Sequence, residues 1–80
     1  MSRSIYSSHY QNLCRLLIEE RKGRGLTQID VAQRLRRPQS YVSKYESGER
    51  KISVIDLIEI ARAIGFDVGK FVRQLDAQIR

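Results

Sequence analysis

The sequence predicts an all-α domain of five helices. Apolar residues recur at spacings of three and four, no stretch alternates with the period of two that marks a strand, and glycines or capping residues separate the segments. With 80 residues, the chain can form one domain with a thin core, burying roughly 60 % of its unfolded surface. We therefore expect a single domain over residues 11–80, preceded by a polar tail at residues 1–10.

The first helix is predicted over about residues 11–22. Gly25 can end it in a left-handed conformation. The second helix follows at once, because the Thr27 hydroxyl can accept a hydrogen bond from the Asp30 backbone N–H. The apolar face of the first helix is formed by Leu13, Leu16 and Leu17.

The second and third helices are separated by a short break at residues 36–38. An apolar stripe ends at Leu35 and resumes at Val42 and Tyr45. A connection of about three residues permits only the steep crossing of a helix-turn-helix pair, which we place at residues 27–47. The small side chain of Ala32 allows the two helices to approach closely.

The fourth helix begins at a second capping pair, Ser53 and Asp56, and ends at Gly65. Asp67 then caps a last helix, predicted over residues 67–79. Both helices carry apolar residues beyond their main stripe, including Ile58 and Ile60, and these can form either core or a dimer interface. The predicted dimer interface consists of Ile55, Phe71, Val72 and Leu75.

The net charge of +6 lies entirely between residues 21 and 51, which hold nine basic and three acidic residues. The flanking segments hold six of each and cancel. A phosphate backbone is the natural complement to such a segment. The alternative is that these cations only solvate a helical surface.

Several function classes are excluded by what the sequence lacks. It has no apolar run that would serve as a signal peptide or cross a membrane. The single cysteine, Cys14, lies in an apolar run and is expected in the core, which fits a cytoplasmic location. His9 has no partners at metal-ligand spacing, and the G-x-G at Gly23 and Gly25 follows no strand. We expect no enzymatic activity, no metal and no cofactor.

The segment from Leu26 to Gly65 resembles the Cro/CI-like, or XRE-type, helix-turn-helix family of bacterial and phage regulators. The similarity covers about half of the chain and follows the family in order, spacing and residue class. It implies a five-helix, lambda-repressor-like domain that binds operator DNA as a dimer. The matching stretches are LTQIDVAQRL, PQSYVSKYESGER and ISVIDLIEIARAIG.

The resemblance also implies roles for individual residues. Gln28 corresponds to a glutamine that binds a backbone phosphate, and Arg21 and Glu46 correspond to a structural ion pair. Gln39 and Ser40 fall at the tip of the recognition helix, with Ser43 and Lys44 one turn on, where the family contacts bases.

Groove chemistry favours the same base contacts. Glutamine can bond adenine in two places and lysine can reach guanine acceptors, so Gln39 and Lys44 are the strongest candidates. The alternative is that this helix face is merely solvated. Tyr41 offers a ring for a thymine methyl group or a hydroxyl for the DNA backbone. The other predicted backbone contacts are Arg36, Arg37, Arg50 and Lys51.

Two residues depart from the family pattern. Arg36 occupies a turn position that usually holds glycine, so it must adopt a positive φ. Pro38 replaces a serine or threonine cap, although proline is tolerated in a first helical turn.

The predicted function is a sequence-specific DNA-binding transcriptional regulator, a repressor, acting as a homodimer on a palindromic double-stranded operator. One alternative is an antitoxin that binds a partner toxin and its own promoter. A restriction-modification controller protein would have a similar sequence.

Overall fold

Five α-helices form the structure, a computed structural model that describes residues 7–79. These residues contain no strand, so the predicted all-α fold of five helices is confirmed. The helices are α1 (Ser8–Gly23), α2 (Gln28–Leu35), α3 (Gln39–Ser47), α4 (Val54–Ile64) and α5 (Val68–Gln78).

Helix α1 begins three residues before the predicted start. The Ser7 side chain accepts a hydrogen bond from the Tyr10 backbone N–H at 3.2 Å, which caps the helix. The Tyr10 hydroxyl in turn accepts from the backbone N–H of Ile52, at 3.0 Å, and joins α1 to the loop before α4. Residues 8–10 therefore belong to the domain and not to a tail, while residues 1–6 of the predicted tail lie outside the described residues.

Side-chain caps start α2, α4 and α5 where the sequence placed them. Thr27 and Asp30 bond each other's backbone N–H groups, and Ser53 and Asp56 do the same. Asp67 accepts from the Lys70 backbone N–H at 2.9 Å. The starts of these three helices are therefore fixed by hydrogen bonds within their own first turns.

The turn between α2 and α3 is held by backbone hydrogen bonds. Arg36 adopts a left-handed conformation with φ of 57°. The Arg37 N–H then donates to the Ala32 carbonyl oxygen at 3.0 Å. Because this closure fixes the chain direction, α3 leaves the turn at a set angle to α2.

The core lies where α2 meets α3 and α4, and where α1 meets α3 and α5. Ala32, Val42 and Tyr45 are buried at the crossing of α2 and α3, as the small-residue argument predicted. The largest fully buried side chains are Tyr45, Phe71, Leu16, Leu17, Ile60, Val31 and Val42.

Phe71, which the sequence assigned to the dimer interface, and Ile60, which it left open between core and interface, both lie in this core. Phe71 is only 1 % exposed and packs on the Phe66 ring with 4.9 Å between centroids, while Ile60 is fully buried. Leu75 is half-buried against the same cluster. The reason is that α5 is amphipathic and supplies its apolar face to a small core. The prediction of Phe71 as an interface residue is therefore wrong, whereas Ile55 and Val72 are exposed.

Candidate nucleic-acid interface

Helix α3 divides its side chains between two faces. Tyr41, Val42 and Tyr45 are buried against the other helices. The helical period then turns the intervening positions outward. The exposed side chains are Gln39, Ser40, Ser43 and Lys44, the four residues predicted to contact bases.

Four exposed cations flank α3. Arg36 and Arg37 precede the helix, and Arg50 and Lys51 follow it. Within residues 7–79, none of the four forms an ion pair with a carboxylate. Their charges are therefore available to an external anion, as binding along a phosphate backbone requires.

A buried ion pair joins α1 to the end of α3. Arg21 donates through Nε to Glu46 Oε2 at 2.7 Å and through Nη2 to Oε1 at 3.1 Å. Its Nη1 donates to the Leu26 carbonyl oxygen at 2.9 Å. The hydrogen bonds to Glu46 raise the pKa of Arg21 above its ordinary value. This is the pair that the family resemblance implied.

Hydrogen bonds continue from this pair to the outer face of α3. Gln28 donates through Nε2 to Glu46 Oε1 at 2.9 Å, and its Oε1 accepts from Gln39 Nε2 at 3.2 Å. Since an amide nitrogen carries two hydrogens, one N–H of Gln28 takes no part in these two bonds. Sequence reasoning placed Gln28 and Gln39 separately on DNA and missed the bond between them.

The environment of Tyr41 excludes one of the two contacts predicted for it. Tyr41 is only 7 % exposed, and its ring packs edge-on against the Tyr45 ring with 5.5 Å between centroids. Burial also raises the pKa of Tyr41. The ring is covered because position 41 is four residues before buried Tyr45 on the same helix face. The ring therefore cannot lie along a thymine methyl group, and the spacing of Tyr41 from Tyr45 in the sequence already indicated this. The contact between the Tyr41 hydroxyl and the DNA backbone stays a prediction.

No group of three or more His, Cys, Asp or Glu side chains among residues 7–79 could hold a metal ion. None of the helices in that range is both long and apolar enough to cross a membrane. Cys14 is buried, and burial raises the pKa of its thiol.

Comparison with known proteins identifies the family. A family model described as "Helix-turn-helix" matches residues 17–71. The chain belongs to the XRE-type helix-turn-helix family. It is similar to the "Uncharacterized HTH-type transcriptional regulator y4dJ" of Sinorhizobium fredii, with 39 % identity over 56 residues. That match covers 70 % of this chain and 73 % of the relative.

Solved structures of this helix-turn-helix type superpose on the chain. An XRE-family like protein from Pseudomonas syringae pv. tomato has a TM-score of 0.86 and 42 % identity, covering 91 % of this chain and 89 % of its own. The restriction-modification controller protein C.Esp1396I has a TM-score of 0.83 at 22 % identity, covering 92 % and 97 %. At that identity the second likeness concerns the fold alone.

Proposed function

We propose that this chain is a sequence-specific transcriptional regulator that inserts α3 into the major groove of double-stranded DNA. The observation that carries the proposal is the outward polar row of α3, flanked at both ends by unpaired cations. An α-helix fits the major groove, where each base pair shows a distinct pattern of donors and acceptors. Membership of the family and the similarity to a regulator support the same function.

The contacts divide into two kinds. Gln39, Ser40, Ser43 and Lys44 carry groups that can bond base edges, with Gln39 suited to adenine and Lys44 to guanine. The flanking cations bind phosphates and fix the register of the helix, without carrying sequence information. Gln28 adds a phosphate contact through its remaining amide N–H. The phosphate-binding cations are Arg36, Arg37, Arg50 and Lys51.

The chain acts as a homodimer on a palindromic operator in this proposal. One recognition helix spans few base pairs, so selectivity comes from two copies on half-sites about 34 Å apart. Exposed apolar residues on α4 and α5 supply surface for the contact. Val54, Ile55 and Val72 are 69, 63 and 47 % exposed. A soluble monomer gains by covering such residues.

Repression is the proposed outcome of binding. A protein that occupies a promoter excludes polymerase without any further contact, whereas activation needs a surface that recruits it. A cytoplasmic location fits the free, buried Cys14. The antitoxin and restriction-controller alternatives stay predictions, and both would also bind their own promoter.

Selection of bound duplexes from a random pool tests the proposal. The selected duplex is then titrated at several salt concentrations with Gln39→Ala and Arg37→Ala. Matched controls are Gln33→Ala and Arg73→Ala, which change exposed residues outside the contact set.

We expect Gln39→Ala to lose preference at one base position, at a cost of about 1–3 kcal/mol. Arg37→Ala should weaken binding to all duplexes and reduce the salt slope by about one. Recovery of no preferred sequence from the pool would contradict the proposal. So would Gln39→Ala and Arg37→Ala binding as the controls do.

A further inference from the structure

The buried ring of Tyr41 is contacted by two of the unpaired arginines. The guanidinium carbon of Arg37 is 4.4 Å from the Tyr41 ring centroid, and that of Arg50 is 5.1 Å from the same centroid. Arg37 precedes α3 and Arg50 follows it, so the two residues are separated along the chain by the whole helix. Both guanidinium groups contact the Tyr41 ring.

The main chain at both arginines is fixed by backbone hydrogen bonds. The Arg37 N–H donates to the Ala32 carbonyl oxygen at 3.0 Å, and the Arg50 N–H donates to the Lys44 carbonyl oxygen at 3.1 Å. The ring is itself held by its edge contact with Tyr45. A planar guanidinium stacks on such a ring, which restricts an otherwise flexible side chain.

This arrangement holds two like charges against the same ring. The guanidinium groups repel each other, and within residues 7–79 neither forms an ion pair with a carboxylate. Asp56 and Glu59 are near enough to raise the pKa of Tyr41, but they make no ion pair with either arginine. An anion that binds both guanidinium groups removes the repulsion, and a phosphate accepts arginine hydrogen bonds in pairs.

We propose that Tyr41 is a positioning residue that holds Arg37 and Arg50 as a two-arginine clamp for the DNA phosphate backbone. The inference rests on the proposed DNA-binding function and deepens it. The clamp contacts phosphate and no base, so it raises affinity for every duplex by the same factor. Ordering the two side chains before binding reduces the entropy lost when DNA is bound.

Lysine substitutions test the clamp without disturbing the core. Arg37→Lys and Arg50→Lys keep the charge and lose the planar group that stacks. Arg73→Lys makes the same change on α5, outside the contact set. Dissociation constants are measured for the selected duplex and for a scrambled duplex. Arg37→Lys is repeated in Tyr41→Phe and Tyr41→Leu backgrounds, with a thermal melt of every variant.

We expect Arg37→Lys and Arg50→Lys each to weaken binding to both duplexes by about two- to five-fold. Tyr41→Phe keeps the ring and should preserve this loss, whereas in Tyr41→Leu the further change to lysine should cost clearly less, because only the paired hydrogen bonds to phosphate are then lost. Equal losses in the Phe and Leu backgrounds would overturn the proposal, as would a loss on the selected duplex only.

An NMR measurement separates failure of the clamp from failure of the proposed function. The ring current of Tyr41 should shift the Nε–Hε signals of Arg37 and Arg50 in free wild type and in Tyr41→Phe, and the shift should vanish in Tyr41→Leu. Shifted signals in a protein that binds no duplex would refute DNA binding while leaving the stacking intact. Unshifted signals would refute the clamp, whatever the DNA result.

Discussion

Gln39 donates a hydrogen bond to Gln28 across the crossing of α2 and α3, with 3.2 Å between Nε2 and Oε1. Gln28 in turn bonds Glu46, which pairs with buried Arg21. An exposed amide on the outer face of α3 is therefore held by a chain of bonds that ends in the interior. The orientation of Gln39 therefore depends, through Gln28, on the buried residues Glu46 and Arg21.

Gln28→Ala should reduce selectivity at the same base position as Gln39→Ala. Without Gln28, the Gln39 amide loses its partner and samples more rotamers before binding. The double variant should be no less selective than Gln39→Ala alone, because residues in one hydrogen-bond network do not act additively. Competition titrations with single-base operator variants measure this, with Gln33→Ala as control. Additive losses would show that the two glutamines act independently.

Glu46→Ala should destabilise the domain by about 3–5 kcal/mol, because it leaves the buried Arg21 guanidinium without its carboxylate. Urea denaturation followed by circular dichroism gives the free energy of unfolding. The matched variant Arg21→Met with Glu46→Leu removes both charges and should recover most of the loss. Equal instability of the single and double variants would contradict this account.

Arg36→Gly should raise the free energy of unfolding by about 0.5–1 kcal/mol. A left-handed conformation costs an L-residue about 1–2 kcal/mol, and glycine avoids this cost. Part of the gain is lost because glycine also has greater conformational freedom in the unfolded chain. The same change removes one of the four flanking cations, so the salt slope of DNA binding should fall by about one. A more stable variant with weaker DNA binding is the expected outcome. Loss of stability would show that φ of 57° is not strained here.

Tyr45→Phe and Tyr10→Phe should change stability in opposite directions. The Tyr45 hydroxyl is buried and has no hydrogen-bond partner among residues 7–79, so removing it should stabilise the domain by about 1 kcal/mol. The Tyr10 hydroxyl accepts from the Ile52 N–H, so its removal should cost about 1 kcal/mol. Thermal melts should give a higher melting temperature than wild type for Tyr45→Phe and a lower one for Tyr10→Phe. A destabilised Tyr45→Phe protein would reveal a partner for that oxygen.

Acid should weaken the cap of α5. The backbone N–H of Lys70 lowers the pKa of Asp67, so its contribution to stability is present at neutral pH and lost as the pH falls from about 4 through the lower folded-state pKa. Asp67→Asn keeps an acceptor at the cap and removes the titration. The melting temperatures of the two proteins should converge as the solution is acidified. A constant difference down to about pH 2 would exclude this linkage.

Local signals predicted the helices well, because Thr27, Ser53 and Asp67 fix the helix starts through bonds within one turn. The start of α1 was missed because its cap, Ser7, lies in a polar stretch without apolar periodicity. Tertiary contacts were harder to predict. The bond between Gln28 and Gln39 joins residues eleven positions apart, and it depends on the angle at which two helices cross.

The division of α3 into an outward row and a buried row has a consequence for how such a protein diversifies. The side chains of residues 39, 40, 43 and 44 lie in solvent, and packing in the core does not limit their size or charge, although Gln39 also bonds Gln28. If α3 reads bases as proposed, point changes there alter which DNA sequence is bound while the melting temperature stays the same. Under that proposal, proteins with this same fold can bind different promoters while their core residues stay unchanged.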